Sequence, residues 1–338
     1  MKKFLFIAAI LVAVIISAIL FDPVAVLILL IFAGLIVFLI GLATFHRLSL
    51  CFEKKKLGPP GRFVYVNGHS MHVYSEGDNQ NAPLLVFLSG AATPAPVYDF
   101  KPLYALLSKD YRIVVVERAG YGYSEVAKVP RDIDTILAET REALRLAGEA
   151  SPYVLVPHSL SGLESIRWAQ RCPDEIKGII ALDIAVPAAY TNQNASSRTR
   201  FVSNFTNGLI RLGAVMGITR LGVLHKAGDL AQTPDEQKQT KLLLQRNFYN
   251  KNVMDEILTI FTNAKTIEDS GIPKLPVLFF TAPAGEPQWW VNAQNNFVEA
   301  DSDNVTAITF TCGHYIHQFE PEHIAEESKK FIDNLGRV

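Results

Sequence analysis

The sequence predicts an α/β protein: a mostly parallel sheet with helices on both faces, a helical insertion near its middle, and two membrane-spanning helices in front. Three observations carry this. From about residue 57, short apolar runs alternate with helix-like runs, and strands alternating with helices mean a parallel sheet covered on both sides. The alternation stops near Val186 and resumes near residue 271. Two long uncharged runs precede all of it.

The first uncharged run, Phe4 to Phe21, holds eighteen residues; after Asp22-Pro23 a second extends from Val24 to Phe45. Each, as a helix, is long enough to cross a hydrocarbon core of about 30 Å. A cleaved signal peptide is the alternative for the first run, because Lys2-Lys3 precede it. Its apolar stretch exceeds the ~7–15 residues usual for such a signal, and no small-x-small site precedes a polar start. Lys2 and Lys3 lie before the first helix, Arg47 and Lys54 to Lys56 after the second, and only Asp22 is charged between them. Positive flanks stay on the cytoplasmic side. Residues 1–56 are therefore expected to be a multi-pass anchor in the cell membrane, with the body of the chain on the cytoplasmic side.

Composition narrows the partners. The 338 residues are 49% hydrophobic and carry a formal charge of −1. Residues 1–56 hold six Lys/Arg against two Asp/Glu, leaving 26 against 31 in the remainder. A mildly acidic body without a basic stripe excludes nucleic acid. Cys51, Cys172 and Cys312 form neither a disulfide framework nor a metal pattern. No His/Cys/Asp/Glu spacing reads as a metal site, and Gly120-x-Gly122 is a turn rather than a phosphate cradle. No cofactor is expected.

After a Gly/Pro linker at 57–61, Arg62–Val66 and His69–Tyr74 flank Asn67-Gly68 and read as a tight hairpin. Further strands are expected at 83–88, 111–116, 152–156, 176–182, 276–281 and 307–311. Helices are expected at 98–107, 132–147, 163–169, 289–299 and 321–335. The insertion, 187–270, carries helix-like runs at 202–216, 235–249 and 253–266. It would cap the carboxyl edge of the sheet, where such folds place their sites. The core is thus expected to comprise 57–186 and 271–338.

The chemistry centres on Pro157-His158-Ser159-Leu160-Ser161-Gly162. An apolar strand leads in and a helical run leads away, so Ser159 sits on a sharp turn that exposes its hydroxyl. A serine needs a base, and the base an orienting acid. His314 follows Gly313 after the last strand, and Asp183 directly ends the strand after the elbow helix. Both are expected at the edge that carries Ser159.

Taken together, Leu88-Ser89-Gly90, the Arg118-to-Ser124 segment, the Ser159 elbow, Gly313-to-His317 and the leading hairpin resemble the α/β-hydrolase family in register over about residues 61–338. The resemblance implies an α/β-hydrolase fold with Ser159 as nucleophile and His314 as base. It also implies an oxyanion hole from the backbone N–H groups of Leu160 and Ala91. In many relatives the acid follows the penultimate strand, which makes Glu286 the alternative to Asp183. Epoxide hydrolases and dehalogenases of this fold use aspartate as nucleophile, so the serine points to an acyl-enzyme. Two elbow positions depart from Gly-x-Ser-x-Gly, with Pro157 and Ser161 in place of the glycines. His158 is expected to pack, His317 to line the pocket or surface, and Trp289-Trp290 to form an aromatic wall near the site. Phe201, Phe205, Leu209, Val215, Leu243, Phe248, Ile257 and Phe261 are expected either in the insertion's own core or in an acyl pocket.

The expected function is a membrane-anchored serine hydrolase cleaving carboxylic esters, with a small or lipid-like ester and the bilayer as partners. The alternatives are a catalytically silent scaffold or ligand-binding protein, and a peptidase of the same fold.

Overall fold

The computed structural model describes residues 23–191, 197–222 and 233–335, together with Val12. Helix α1, Pro23–Glu53, is the one helix among the described residues that is long and apolar enough to cross a membrane. It runs eight residues past the expected end at Phe45, because Arg47 and the residues up to Glu53 contain no helix breaker. The other expected span, Phe4 to Phe21, falls outside the described residues apart from Val12.

The strands are β1 Arg62–Val66, β2 His69–Glu76, β3 Leu84–Leu88, β4 Ile113–Glu117, β5 Tyr153–Pro157, β6 Ile176–Leu182, β7 Val277–Thr281 and β8 Val305–Thr309. They form one sheet in the order β1-β2-β4-β3-β5-β6-β7-β8. β1 and β2 pair antiparallel, and β2 joins β4 antiparallel, while β3 to β8 are parallel. Asn67 and Gly68 both have positive φ, the backbone a two-residue hairpin turn of this hand requires. β8 lies two residues earlier than expected. It is an edge strand buried mainly at Val305, so apolarity marks its position poorly.

Helices α2 Lys101–Leu107, α3 Ile133–Leu146, α4 Ser161–Arg171, α8 Gln288–Ala300 and α9 Pro321–Leu335 cover the sheet. Every residue of β3, β4, β5 and β7 is buried, which is why these strands read as unbroken apolar runs. Alternate side chains serve two separate cores. Val86, Leu155 and Ile179 pack under α3, α4 and α8, whereas Leu85, Val115 and Val154 pack under α2 and α9. The expected helix 98–107 is two pieces, Pro96–Asp99 and Lys101–Leu107, with Pro102 at the start of the second, a position a proline favours.

Between β6 and β7 the chain makes a one-turn helix, Ala188–Thr191, then α5 Ser197–Met216, α6 Pro234–Asn247 and α7 Lys251–Glu268. α6 starts on a capping box from Thr233 and Glu236. α7 starts on the Asn250 side chain, which accepts from the N–H groups of Asn252 and Val253.

Candidate active site

Ser159 stands in the turn between β5 and α4, one residue after His158, and its φ is +53°. A non-glycine residue in this left-handed region is strained, and such strain concentrates at functional turns. The turn is held by its neighbours. Ser161 is fully buried; its hydroxyl donates to Leu88 O at 2.6 Å and accepts from His158 N at 3.0 Å. A glycine there would lose this stitch to β3. Gly162 has no such latitude, since a Cβ would lie 2.4 Å from the Ala185 carbonyl.

Pro157 is the last residue of β5, beside Leu88. His158 N donates toward β3, to Leu88 O, so the nitrogen one residue earlier faces β6. Proline has no proton to give there. The β5–β6 ladder accordingly runs to Leu155↔Ile179 and reappears as the single bridge His158↔Leu182. The missing donor costs one rung and leaves the elbow intact.

The serine, the histidine and the aspartate come together. His314 Nε2 lies 2.9 Å from Ser159 Oγ, and His314 Nδ1 lies 2.6 Å from Asp183 Oδ2. The carboxylate requires a proton on Nδ1, which leaves Nε2 bare to accept from the serine hydroxyl. Asp183 is fully buried, with φ +45°. Its other oxygen accepts from Gln294 Nε2 at 2.9 Å and from Ala282 N at 3.3 Å. Those bonds fix the carboxylate's rotation, so it presents one oxygen to His314. Glu286 is nearby but different: its Oε1 stands 3.8 Å from His314 Nδ1, and its side chain is partly exposed. That distance is outside hydrogen-bond range.

The loop after β3 lies against the nucleophile. A Cβ on Gly90 would sit 2.9 Å from Ser159 Cβ. The guanidinium of Arg118 holds this loop from behind, donating to Ser89 O at 3.0 Å and Gly90 O at 3.3 Å. Gly90 C=O and Ala91 N–H share one trans peptide and point opposite ways, so the Ala91 N–H is turned away from Arg118. The next N–H, on Ala92, donates to Tyr121 Oη at 3.3 Å. Among the described residues, neither the Leu160 nor the Ala91 N–H has an acceptor. Tyr121 in turn donates to Glu256 on α7 at 2.6 Å. Arg118 lies 3.2 Å from Glu164 on α4 and 3.6 Å from Glu256, and all these groups are buried. Burial pushes the Glu164 carboxyl up, against the pull of Arg118.

Arg118, Tyr121, Glu256 and Gln294 were not expected at the site. Arg118 and Tyr121 lie in the glycine-turn segment after β4, which reads as a turn and as part of the family resemblance, with no role given to either side chain. Glu256 and Gln294 sit on helices with no motif.

The remaining histidines differ from expectation in one case. His317 is neither at the surface nor lining an open pocket. It is fully buried, stacks on Phe100 and places Nε2 2.9 Å from Asp99 Oδ2. His158 packs, as expected, between His314, Tyr315 and His317, and donates from Nε2 to His314 O at 3.1 Å. Asp99, His158 and His317 thereby meet within 4.8 Å, a grouping that chain spacing hides. Trp290 lies edge-on to His314 at 5.7 Å, and Trp289 and Tyr190 continue the row of rings outward. The groove of about 670 Å³ between Arg167 and Pro276 has no residue of this cluster in its wall.

Burial, then the nearby charges of His317 and His314, holds His158 well below the usual imidazole value of 6.5. The folded protein keeps this ring neutral where the unfolded chain binds a proton. The stabilising term is complete above pH 6.5 and is lost as pH falls below it. Thermal unfolding against pH should show the wild type losing about 1.4 kcal/mol per pH unit more than His158→Gln below pH 6.5. Parallel curves would refute this.

Comparison with known proteins agrees with the fold. The family described as alpha/beta hydrolase fold matches residues 83–269. The chain is 35% identical over 306 residues to the uncharacterized protein YbdG of Bacillus subtilis, covering 88% of this chain and 94% of that one. It is 20% identical over 319 residues to epoxide hydrolase 1 of Caenorhabditis elegans, covering 83% and 74%. Among solved structures, an epoxide hydrolase from Bacillus megaterium superposes with a TM-score of 0.61 at 17% identity, over 80% of this chain and 100% of that one. A haloalkane dehalogenase loop variant from Bradyrhizobium elkanii gives 0.55 at 17%, over 82% and 97%. These two show likeness of fold. The family match and the near full-length relative show that the chain belongs to the α/β-hydrolase fold family.

Proposed function

We propose that this protein is a membrane-anchored serine hydrolase that cleaves carboxylic esters through an acyl-enzyme on Ser159. The observation that carries the proposal is the contact of His314 Nε2 with Ser159 Oγ, with Asp183 on the opposite ring nitrogen. His314 takes the serine proton as Oγ attacks the ester carbonyl. The N–H groups of Leu160 and Ala91 receive the negative charge that develops on the carbonyl oxygen, which places the oxyanion hole between elbow and loop. His314 then passes its proton to the departing alcohol, and water repeats the sequence on the acyl-enzyme.

The relatives named for epoxides and halides do not redirect this reading. An alkoxide that displaced a leaving group at a saturated carbon would leave an ether, with no carbonyl for water to attack. A carboxylate nucleophile would leave an ester, which can be hydrolysed. Position 159 offers a hydroxyl, so turnover requires an acyl substrate. The segment 187–270 acts as the cap over the core of 57–186 and 271–338, and the aromatic row from Trp290 to Tyr190 forms one wall for the acyl group. The anchor is residues 1–56, with α1 as its second span, and the excess of lysine and arginine at its flanks supports a cytoplasmic body.

A fluorophosphonate probe on the full chain tests the nucleophile. The wild type should label and Ser159→Ala should not, and p-nitrophenyl esters should be turned over by the wild type alone. Folded wild type that neither labels nor hydrolyses any ester chain length would leave the silent scaffold as the better reading.

A further inference from the structure

Helix α5 presents the wrong face to water. Ala214 is 8% exposed and Arg211 and Ile210 are half-buried, so this is the covered side of the helix. The opposite side carries Leu209, Leu212 and Val215, which are 53%, 52% and 46% exposed. A surface helix in a soluble protein turns its polar side outward, and a contiguous exposed apolar face marks an interaction site. The sequence analysis expected Leu209 and Val215 in the insertion's core or an acyl pocket; they are in neither. The following turn, Ile218–Leu221, keeps Ile218 and Leu221 exposed as well.

The carboxyl end of α5 adjoins the apolar anchor. Gly217 presses on His46 of α1, where a Cβ would lie 2.6 Å from His46 Cβ. Arg220 forks onto both carboxylate oxygens of Glu53 at 2.8 Å and donates to His46 Nδ1 at 2.9 Å. The junction therefore sits where α1 leaves its uncharged run: about twenty residues span a hydrocarbon core, and Arg47 is the first charge. Phe45, Leu48 and Phe52 on this part of α1 are all exposed. The charge is one-sided too. Between Asp183 and Asp229 the chain has five Lys/Arg and no acidic residue, although the body as a whole is acidic.

We propose that α5 lies in the membrane interface, with Leu209, Leu212 and Val215 seated at the acyl-chain boundary of an anionic bilayer beside the point where α1 enters it. An in-plane helix with an apolar face and basic flanks binds lipid by burial plus attraction to anionic headgroups. The inference rests on the membrane-anchored reading and deepens it. The segment above the serine is held at the lipid surface, so an ester dissolved in the bilayer reaches the site without crossing bulk water.

The test needs no turnover. Leu212→Cys is made in the full chain, with Cys51, Cys172 and Cys312 changed to Ser, and labelled with an environment-sensitive fluorophore. The protein is reconstituted into phosphatidylcholine/phosphatidylglycerol vesicles. Blue-shifted emission, lost on adding a nitroxide-labelled lipid and resistant to aqueous iodide, is expected at position 212. The same label at Lys330→Cys on α9 should respond to iodide alone. Iodide quenching at 212 would overturn the proposal. So would shielding from both quenchers, which means that protein covers the face, either a second copy or another segment of the chain. Protein that fails to float with the vesicles overturns this inference and the anchor together. Loss of Ser159 labelling with normal lipid quenching sinks only the esterase reading.

Discussion

Asp183→Asn is expected to lower ester turnover by about 10³–10⁴-fold while the protein stays folded. The substitution keeps the shape of a fully buried side chain. It replaces an acceptor at 2.6 Å from His314 Nδ1 with an amide that can donate. The histidine then carries its proton on Nε2, the atom that faces Ser159 Oγ, and cannot accept the serine proton. Glu286→Gln should change the rate by less than about threefold, because a partly exposed carboxylate at 3.8 Å is screened by solvent. Steady-state kinetics on a p-nitrophenyl ester compares the two directly. Full activity in Asp183→Asn, or an equal loss in Glu286→Gln, would move the acid to position 286.

Arg118→Met should produce the second largest effect, on two observables at once. Glu164 loses its buried cation at 3.2 Å, whereas Glu256 loses one at 3.6 Å and keeps Arg131 at 3.4 Å; a buried charge left unpaired, as Glu164 would be, costs about 3–5 kcal/mol. Thermal unfolding reads that loss. The Ser89 and Gly90 carbonyls also lose their donor, so the loop that carries Ala91 is no longer held. One misplaced oxyanion donor corresponds to a fall of about 10²–10³ in kcat, with KM little changed because that donor acts mainly on the charge that develops in the transition state. Tyr121→Phe separates positioning from stability. It removes the acceptor of the Ala92 N–H and the link to Glu256, but no charge. It should lower kcat at nearly constant KM, with a smaller fall in Tm than Arg118→Met gives. A folded Arg118→Met with wild-type kcat would show that Arg118 supports only the fold.

The fold was legible because the inner strands β3, β4, β5 and β7 are buried on both faces, which writes unbroken apolar runs into the chain. The order of Ser159, Asp183 and His314 was legible for a related reason, since each follows a strand on the same sheet edge. The ion cluster behind the loop was not. Tyr121 and Glu256 are 135 positions apart, and nothing local marks a glutamate on an amphipathic helix as buried. His317 was misread because a histidine near a chain turn looks exposed until Asp99 and Phe100 are seen to enclose it. Periodicity placed α5 as a helix but cannot say which side meets water. Leu209 and Val215 were therefore assigned inward when they face out.

The bond from Tyr121 to Glu256 sets an order of events during synthesis. A domain folds as a unit once its chain has emerged, but the residues around Ser159, and the Ala185 segment they pack on, are synthesised well before their later partners. The brace behind Gly90 closes only when the chain has grown past residue 256, and the base arrives with residue 314. A nascent chain still on the ribosome thus displays the serine with neither its proton acceptor nor a fixed loop beside it. On the proposed mechanism, reactivity at position 159 comes last, after the helices between β6 and β7 have folded back against the core.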